Sequence, residues 1–568
     1  MSNENYESIL NKCASFSAYQ LLIMPDLDNA LWQKAEAQHT HEAFTHYLSL
    51  LPNGIYQQSA ILKVQYFKKL EYTLAERRLY EFAIIIDDKE YYKQYLSKYK
   101  NGIYTEEISK KLNHLIKLDD LMLDLRIIID WAENKNIKSI PKNINELSKI
   151  TYLDLSYKEL TELPPQISKL IKLTRLDLNG NQLTKLPTEV IKLTNLIELN
   201  LSSNALESLP PEISKLVNLH ELNISNNNLV SLPWAEVGKL TKLEKLYVSD
   251  NKLVTLSPEI SKLYNLKILY IASSDLVSLP IEISKLTNLE ELLLVGNKLT
   301  TLPPEIGKLI NLKKLIIGSN KVKIIQPEIG SLISLRSLDF SNNQLTRVSP
   351  EIGRLTKLEY FNLDNNNLTS LPPEIGSLKS LQTLSIGYNQ LEKLQPEIGK
   401  LVNLQDIGLF HNKLKSLTPE IGDLINLKTI NVAFNKIEEV SPKIGKLIFL
   451  DLAFFQGNKI RLLPPTIGNL VRLRQLNLEK NRIIKLPPEI GNLSCLEYID
   501  LSYNRLKELP PEIGKLKLLK YCNASYNQLK KNYSERGGFI FMNKFITIEE
   551  QEQLETEDKS FFKKWFSR

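Results

Sequence analysis

The 568-residue chain is 43% hydrophobic and 24% charged, the composition of a folded protein with room for several ordinary domains or one extended array. Its net charge of +7, spread over interleaved acids and bases, does not point to nucleic acid, and no run approaches the ~20 apolar residues that span a bilayer. Three cysteines (Cys13, Cys495, Cys522) are too few for a disulfide framework and lack zinc spacing, and no basic-then-apolar leader opens the chain, so a reducing, cytoplasmic setting is expected.

Residues 1–118 repeat with a period of 48. Trp32, Ala35, Tyr47-Leu48-Ser49 and Asn53-Gly54-Ile55-Tyr56 return as Tyr80, Ala83, Tyr95-Leu96-Ser97 and Asn101-Gly102-Ile103-Tyr104. Asn-Gly marks a turn and helical spacing surrounds it, which predicts an all-α domain of two helix–turn–helix units. It resembles a short tetratricopeptide-like array without that family's full motif. Such a domain either caps and spaces or forms a second docking module. Its segment HTHEAFTH holds His39, His41, Glu42 and His46. A zinc protease needs two histidines one helical turn apart, whereas His41 and His46 diverge by roughly 140° at about 100° per residue. A solvated helix surface is expected there, with no metal.

From about residue 119 to 531 the period is 23. Asparagines recur at 181, 204, 227 and 251, then, after Ser274, at 297, 320, 343, 366, 389, 412, 435, 458, 481, 504 and 527. One step of 24 falls at SLPWAEVGKL, and Lys135 and Lys158 hold the same place in two degenerate leading turns. Within each unit LxL at period two predicts a short strand with its leucines inward. The asparagine turns the chain and its amide can bond backbone groups of neighbouring turns. PPEIGKL then resists strand pairing and closes the core from the other side. One turn cannot bury its own apolar face, so the turns must stack. Parallel strands about 4.8 Å apart give some seventeen turns an inner arc on the order of 80 Å.

The unit LxxLxLxxNxLxxLPPEIGKL closely resembles the leucine-rich repeat family, in the 23-residue LPxxI form of intracellular Ras-suppressor-like and Roco-type proteins and many bacterial proteins. The resemblance implies an α/β solenoid with a parallel sheet on its concave face, and protein binding there. Small GTPases or phosphatase complexes are partners that it admits. Extracellular relatives cap with cysteine-rich flanks, and this chain has none. LDDLMLDLRIIIDWAENKN is the expected N-terminal cap, and GGFIFMNKFITI, in the segment 532–568, the expected C-terminal one.

The chain has no GxxxxGK[ST] of its own. The 38 residues after 530 contain no cysteine, so neither the GTPase of Roco-type relatives nor a cysteine-dependent ubiquitin ligase domain is expected. Cys495 and Cys522 fall inside repeat turns and read as small core residues. No enzyme and no cofactor are expected.

The outward strand position between the two inward leucines is usually Asn, Asp or Ser, but four consecutive turns carry Tyr247, Tyr270, Leu293 and Ile316. Side chains on adjacent strands stand about 5 Å apart, so these form one stripe, widened by Ile268, Ala272 and Val295 and rimmed by Lys245, Glu291, Lys313 and Lys314. An apolar, tyrosine-containing centre with a charged rim has the composition of a protein-binding hot spot. A second patch comprises Phe410, His411, Phe434, Leu452 and Phe454, in a stretch where Ala453 replaces a consensus leucine. The tail KSFFKKWFSR sets Phe561, Phe562, Trp565 and Phe566 beside Lys563, Lys564 and Arg568, able to meet a membrane surface or the end of the array. The expected function is a monomeric, non-enzymatic scaffold binding a protein on its concave face, in intracellular signalling. A targeting subunit with catalysis in trans, or a bacterial effector acting in host cytoplasm, are the alternatives.

Overall fold

The structure, a computed structural model, describes residues 20–529. The expected C-terminal cap, the aromatic–basic tail and Cys13 lie outside those residues. The chain forms two compact units that divide between Arg126 and Ile127.

The first unit is helical, with helices Gln20–Gln38, His41–Leu50, Gln57–Ile86, Lys89–Lys98 and Thr105–Asn134. His41–Leu50 recurs 48 residues later as Lys89–Lys98, and Gln57–Ile86 as Thr105–Asn134, so the repeat runs into a long helix that the sequence reading left out of it. Each repeat is closed by a buried carboxylate and a buried tyrosine. The Tyr47 hydroxyl donates to Asp28, and Tyr95 donates to Glu76 Oε1 at 2.5 Å. Burial and the carboxylate together hold both phenols above their ordinary range. The Asn-Gly turns now have a second reason. A Cβ on Gly54 would lie 2.8 Å from Asp28 Oδ2, and one on Gly102 2.2 Å from Glu76 Oε1, so only glycine lets the turn approach the carboxylate. Trp32 stacks on Tyr56 at 5.0 Å and Tyr80 on Tyr104 at 3.9 Å, again one repeat apart.

The second unit is a solenoid whose seventeen parallel strands, Tyr152–Asp154 to Tyr521–Asn523, form one sheet. The leading turn at Lys135 keeps the repeat spacing in part: Ile137, Ile140 and Leu147 are buried 23 residues before Leu160, Leu163 and Leu170. Its strand is replaced by the helix ending at Asn134, where Ile128, Ile129 and Ala132 are buried at helical spacing. Opposite most strands lies a short 3-10 turn such as Pro304–Lys308, opened by a proline whose missing N–H would have had no partner there. Leucines and isoleucines from both sides fill the space between. Cys522 is one of these core residues, its thiol pushed up to about 12 by burial, whereas Cys495 is only half-buried.

The asparagines do the work expected of them. Asn343 Oδ1 accepts from Val322 N of the preceding turn at 2.9 Å, and its Nδ2 donates to Ile317 O at 2.9 Å and to Phe340 O and Ser341 O at 3.1 Å. The residue before each asparagine sits at positive φ, from Gly180 to Tyr526, which lets the chain turn out of the strand. A second asparagine row went unnoticed in the sequence although it too keeps the 23-residue step. Asn195, Asn218, Asn265, Asn288, Asn311, Asn403 and Asn426 each donate to a backbone carbonyl 24 residues earlier, at 2.8–2.9 Å.

Ser274 breaks the first row. Its hydroxyl reaches only Ala272 O, at 3.5 Å, and is too short to accept from Leu253 N as an asparagine would. Ser274→Asn is expected to restore those bonds and stabilise the array by about 1–2 kcal/mol, at roughly 1 kcal/mol per net hydrogen bond. A higher urea unfolding midpoint is the expected reading; an unchanged or lower one shows that the serine turn is already satisfied.

A candidate binding surface on the concave face

The sheet register sets Tyr247 beside Tyr270, Tyr270 beside Leu293, and Leu293 beside Ile316. The expected stripe is therefore contiguous. Its four side chains are half-buried, each shielded by its neighbours, and Tyr247 meets Tyr270 edge to face at 5.1 Å. Ile268, Ala272 and Val295 are half-buried alongside.

The rim is less free than the sequence suggests. Lys245 pairs with Glu221 at 3.0 Å and Lys313 with Glu290 at 2.7 Å, and the Tyr270 hydroxyl donates to Glu291. Lys314 alone of the expected rim makes neither an ion pair nor a side-chain hydrogen bond among the described residues. Burial, then the bond to Glu291, holds the Tyr270 phenol well above its ordinary range, and burial raises Tyr247 too. Both phenols are neutral donors at physiological pH.

What the polar residues elsewhere in this column do could not be read from the sequence. They are not simply solvated. Asp154, Asp177, Asn200, Asn223, Asp339, Asn362, Asn431, Asn477, Asp500 and Asn523 each accept, through the side chain, from the amide two residues on, at 2.7–3.2 Å. This Asx turn caps the strand exit. Tyr, Leu and Ile offer no acceptor there, so the stripe gives up four caps in four successive turns. Only one is replaced, by Ser249 Oγ accepting from Ala272 N at 3.0 Å.

The second patch is built differently. Tyr388, His411 and Phe434 occupy the positive-φ position before their asparagines, at φ 50°, 52° and 54°, a conformation costly for bulky side chains. Their rings stack face to face, 4.3 Å from Tyr388 to His411 and 4.4 Å from His411 to Phe434. Burial in this stack pulls the His411 imidazole below its ordinary range. Phe410 lies flat over Gly387, where an added Cβ would come within 2.5 Å of its ring. Phe454 is 9% exposed and has little surface to offer, while Leu452 is half-buried. Tyr388, half-exposed and absent from the sequence reading, is the outer member of the stack.

Beside this patch Asp364 accepts from Ser385 Oγ at 2.8 Å and from Gly387 N at 2.5 Å. Burial raises its carboxyl to about 6 against those bonds, with the Asp339 charge adding to the rise.

In the helical unit His41 Nδ1 lies 2.7 Å from Glu71 Oε2 and His41 Nε2 3.4 Å from Glu42 Oε1. These atoms are the one group of three possible metal ligands among the described residues. Both glutamates are exposed, and His39 and His46 do not join them.

The model of a leucine-rich repeat region matches residues 122–249, 254–358 and 450–532, and that of a leucine rich repeat matches 356–414. A leucine-rich repeat protein of Leptospira interrogans is 37% identical over 70% of this chain and 96% of its own, with a TM-score of 0.60. The chain belongs to the leucine-rich repeat family. More distant leucine-rich repeat structures share only its fold. The functional domain of InlJ from Listeria monocytogenes is 22% identical over 62% of this chain and 73% of its own, TM-score 0.52. Drosophila Toll, in its complex with Spatzle, is 21% identical over 67% of this chain and 54% of its own, TM-score 0.60. Comparison with curated proteins gives no match.

Asp364 yields a pH prediction. An unfolded aspartate ionises near 3.9, so the proton held in the fold up to about 6 contributes stability that is complete below about pH 4 and lost as pH rises through 6. Asp364→Asn is expected to stabilise the array by about 2 kcal/mol at pH 7, from a shift of roughly two units, and by little at pH 4. Urea unfolding midpoints at the two pH values decide it; an equal gain at both would assign the effect to something other than ionisation.

Proposed function

We propose that this leucine-rich repeat protein is an interaction scaffold that captures a protein partner on the concave face, through Tyr247, Tyr270, Leu293 and Ile316. One observation carries the reading. Four adjoining turns lack the side-chain cap, and only one of them regains the hydrogen bond, worth about 1 kcal/mol, from elsewhere; the same position makes it in ten other turns, whereas these four present apolar or aromatic side chains instead. Ser385, Gly408 and Phe454 lack the cap too, but only here do four successive turns give it up, and a run of that length supports a selected surface. Tyrosines flanked by aliphatic groups, here with the Tyr270 hydroxyl fixed on Glu291, are typical of interface centres, where large rigid side chains lose little entropy on binding. Lys314 supplies an unpaired cation at the edge, which favours a partner with an acidic group beside its apolar centre. The chain's own chemistry does not select among signalling partners.

The test uses substitutions that the array itself prescribes. Tyr247→Asn, Tyr270→Asn, Leu293→Asp and Ile316→Asp together install the residues found at this position in other turns, so the variant should fold and unfold at an equal or higher urea midpoint. In quantitative pull-downs from the native organism, at least one protein retained by the native chain is expected to fall more than tenfold with the variant. Identical partner profiles would remove the stripe as the binding surface.

A further inference from the structure

A second row of side chains, on the edge where the chain enters the strands, is laid out as charge pairs between successive turns. Lys267 meets Glu244 at 2.8 Å, Lys313 meets Glu290 at 2.7 Å, Arg336 meets Glu359, Arg474 Nε meets Asp451 at 2.6 Å and Lys520 meets Glu497 at 2.6 Å. Between Glu244 and Lys520 the row fails in one place. Gln382 and Gln405 are neutral, and Lys428, next in line, donates to Gln405 Oε1 at 2.8 Å and has no carboxylate among the described residues. Arg472 on the adjoining row also lacks one, and lies over the Phe449 ring at 4.6 Å.

An open groove of about 700 Å³ coincides with this break. Along it stand the amides of Gln382, Gln405, Asn403 and Asn426, with Lys428 and Arg472 towards one end and Glu359, its charge met by Arg336, at the other. Asn403 and Asn426 each spend Nδ2 on a backbone carbonyl at 2.8 Å, which leaves their oxygens to accept. At the equivalent Asn218 that oxygen accepts from Lys242 Nζ at 2.7 Å. Gln405, its oxygen taken by Lys428, keeps its NH₂ to donate. The residues immediately preceding Asn403, Asn426, Phe449 and Arg472 are Val402, Ile425, Ile448 and Val471, all about half-exposed.

We propose that this edge groove binds an extended acidic peptide, independently of the concave stripe. The amides offer acceptors and donors to the N–H and C=O groups of an extended backbone. The two cations without acids call for a carboxylate, and the exposed aliphatic residues next in sequence to those that line the groove offer contacts to apolar side chains. From Ser380 to Arg472 the groove crosses four steps of about 4.8 Å, roughly 19 Å, the length of a six-residue strand. An anionic saccharide fits less well, because the one aromatic ring at the groove has its face covered by Arg472.

The test is fluorescence anisotropy with a labelled nine-residue peptide alternating Glu and Val, on the full chain at low salt. The native chain is expected to bind it, and Lys428→Glu with Arg472→Glu to weaken binding at least tenfold; both side chains are exposed, and circular dichroism checks the fold. The fourfold stripe variant should bind as the native chain does, which separates this result from the fate of the concave reading. Absence of binding by the native chain, equal binding by the charge-reversed variant, or displacement by oligogalacturonate at the same carboxylate concentration would each overturn the proposal.

Discussion

The array depends on one interaction, the buried asparagine amide at each strand exit. A chain leaving a three-residue strand must turn within a few residues, and its N–H and C=O groups there are buried, where an unmet hydrogen bond costs 1–3 kcal/mol. One asparagine side chain accepts from the amide 21 residues earlier and donates to carbonyls of two turns, as Asn343 does with Val322, Ile317, Phe340 and Ser341. Glutamine would place the same groups one methylene too far, and Ser274 shows what a shorter side chain forfeits. The preceding residue must then enter the left-handed region. Most turns meet this with Gly, Ser, Asn or Asp, whereas Tyr388, His411 and Phe434 meet it by stacking.

Because each turn touches only its neighbours, every position repeats as a column, and a column changes character locally without disturbing the rest. The strand-exit caps are exchanged for an apolar stripe in four turns, and the charge pairs of the edge give way to amides in two. Both departures keep the core leucines and the buried asparagines of those turns, apart from Ser274. The proposed binding surfaces are thus superimposed on a scaffold whose stability resides elsewhere. The helical unit follows the same logic at a longer period, its two buried tyrosine–carboxylate pairs standing one repeat apart.

Much of this was legible in the residues. The asparagine step fixed the strands, their register and the contiguity of Tyr247, Tyr270, Leu293 and Ile316, since a constant period puts equivalent residues side by side. The leading turn at Lys135 keeps its buried Ile137, Ile140 and Leu147 but no strand, because a helix before it buries Ile128, Ile129 and Ala132, and helical spacing competes with a weak repeat. Phe454 sits in the expected strand but is covered. The roles of Asp154 or Asn200 as caps, the second asparagine row and the charge pairs were visible as spacing, yet nothing in spacing says which atom a side chain meets.

The sequence by itself determined the repeat, the parallel sheet and which side chains share a column, because stacking of identical units leaves one solution that buries every leucine. Only the tertiary structure decided which outward groups were already spent. Lys245 and Glu291 proved to be paired, the concave aspartates and asparagines to be capping amides, and Lys428 and Arg472 to lack acids, because these outcomes depend on distances between turns of a few ångströms that a one-dimensional pattern does not contain.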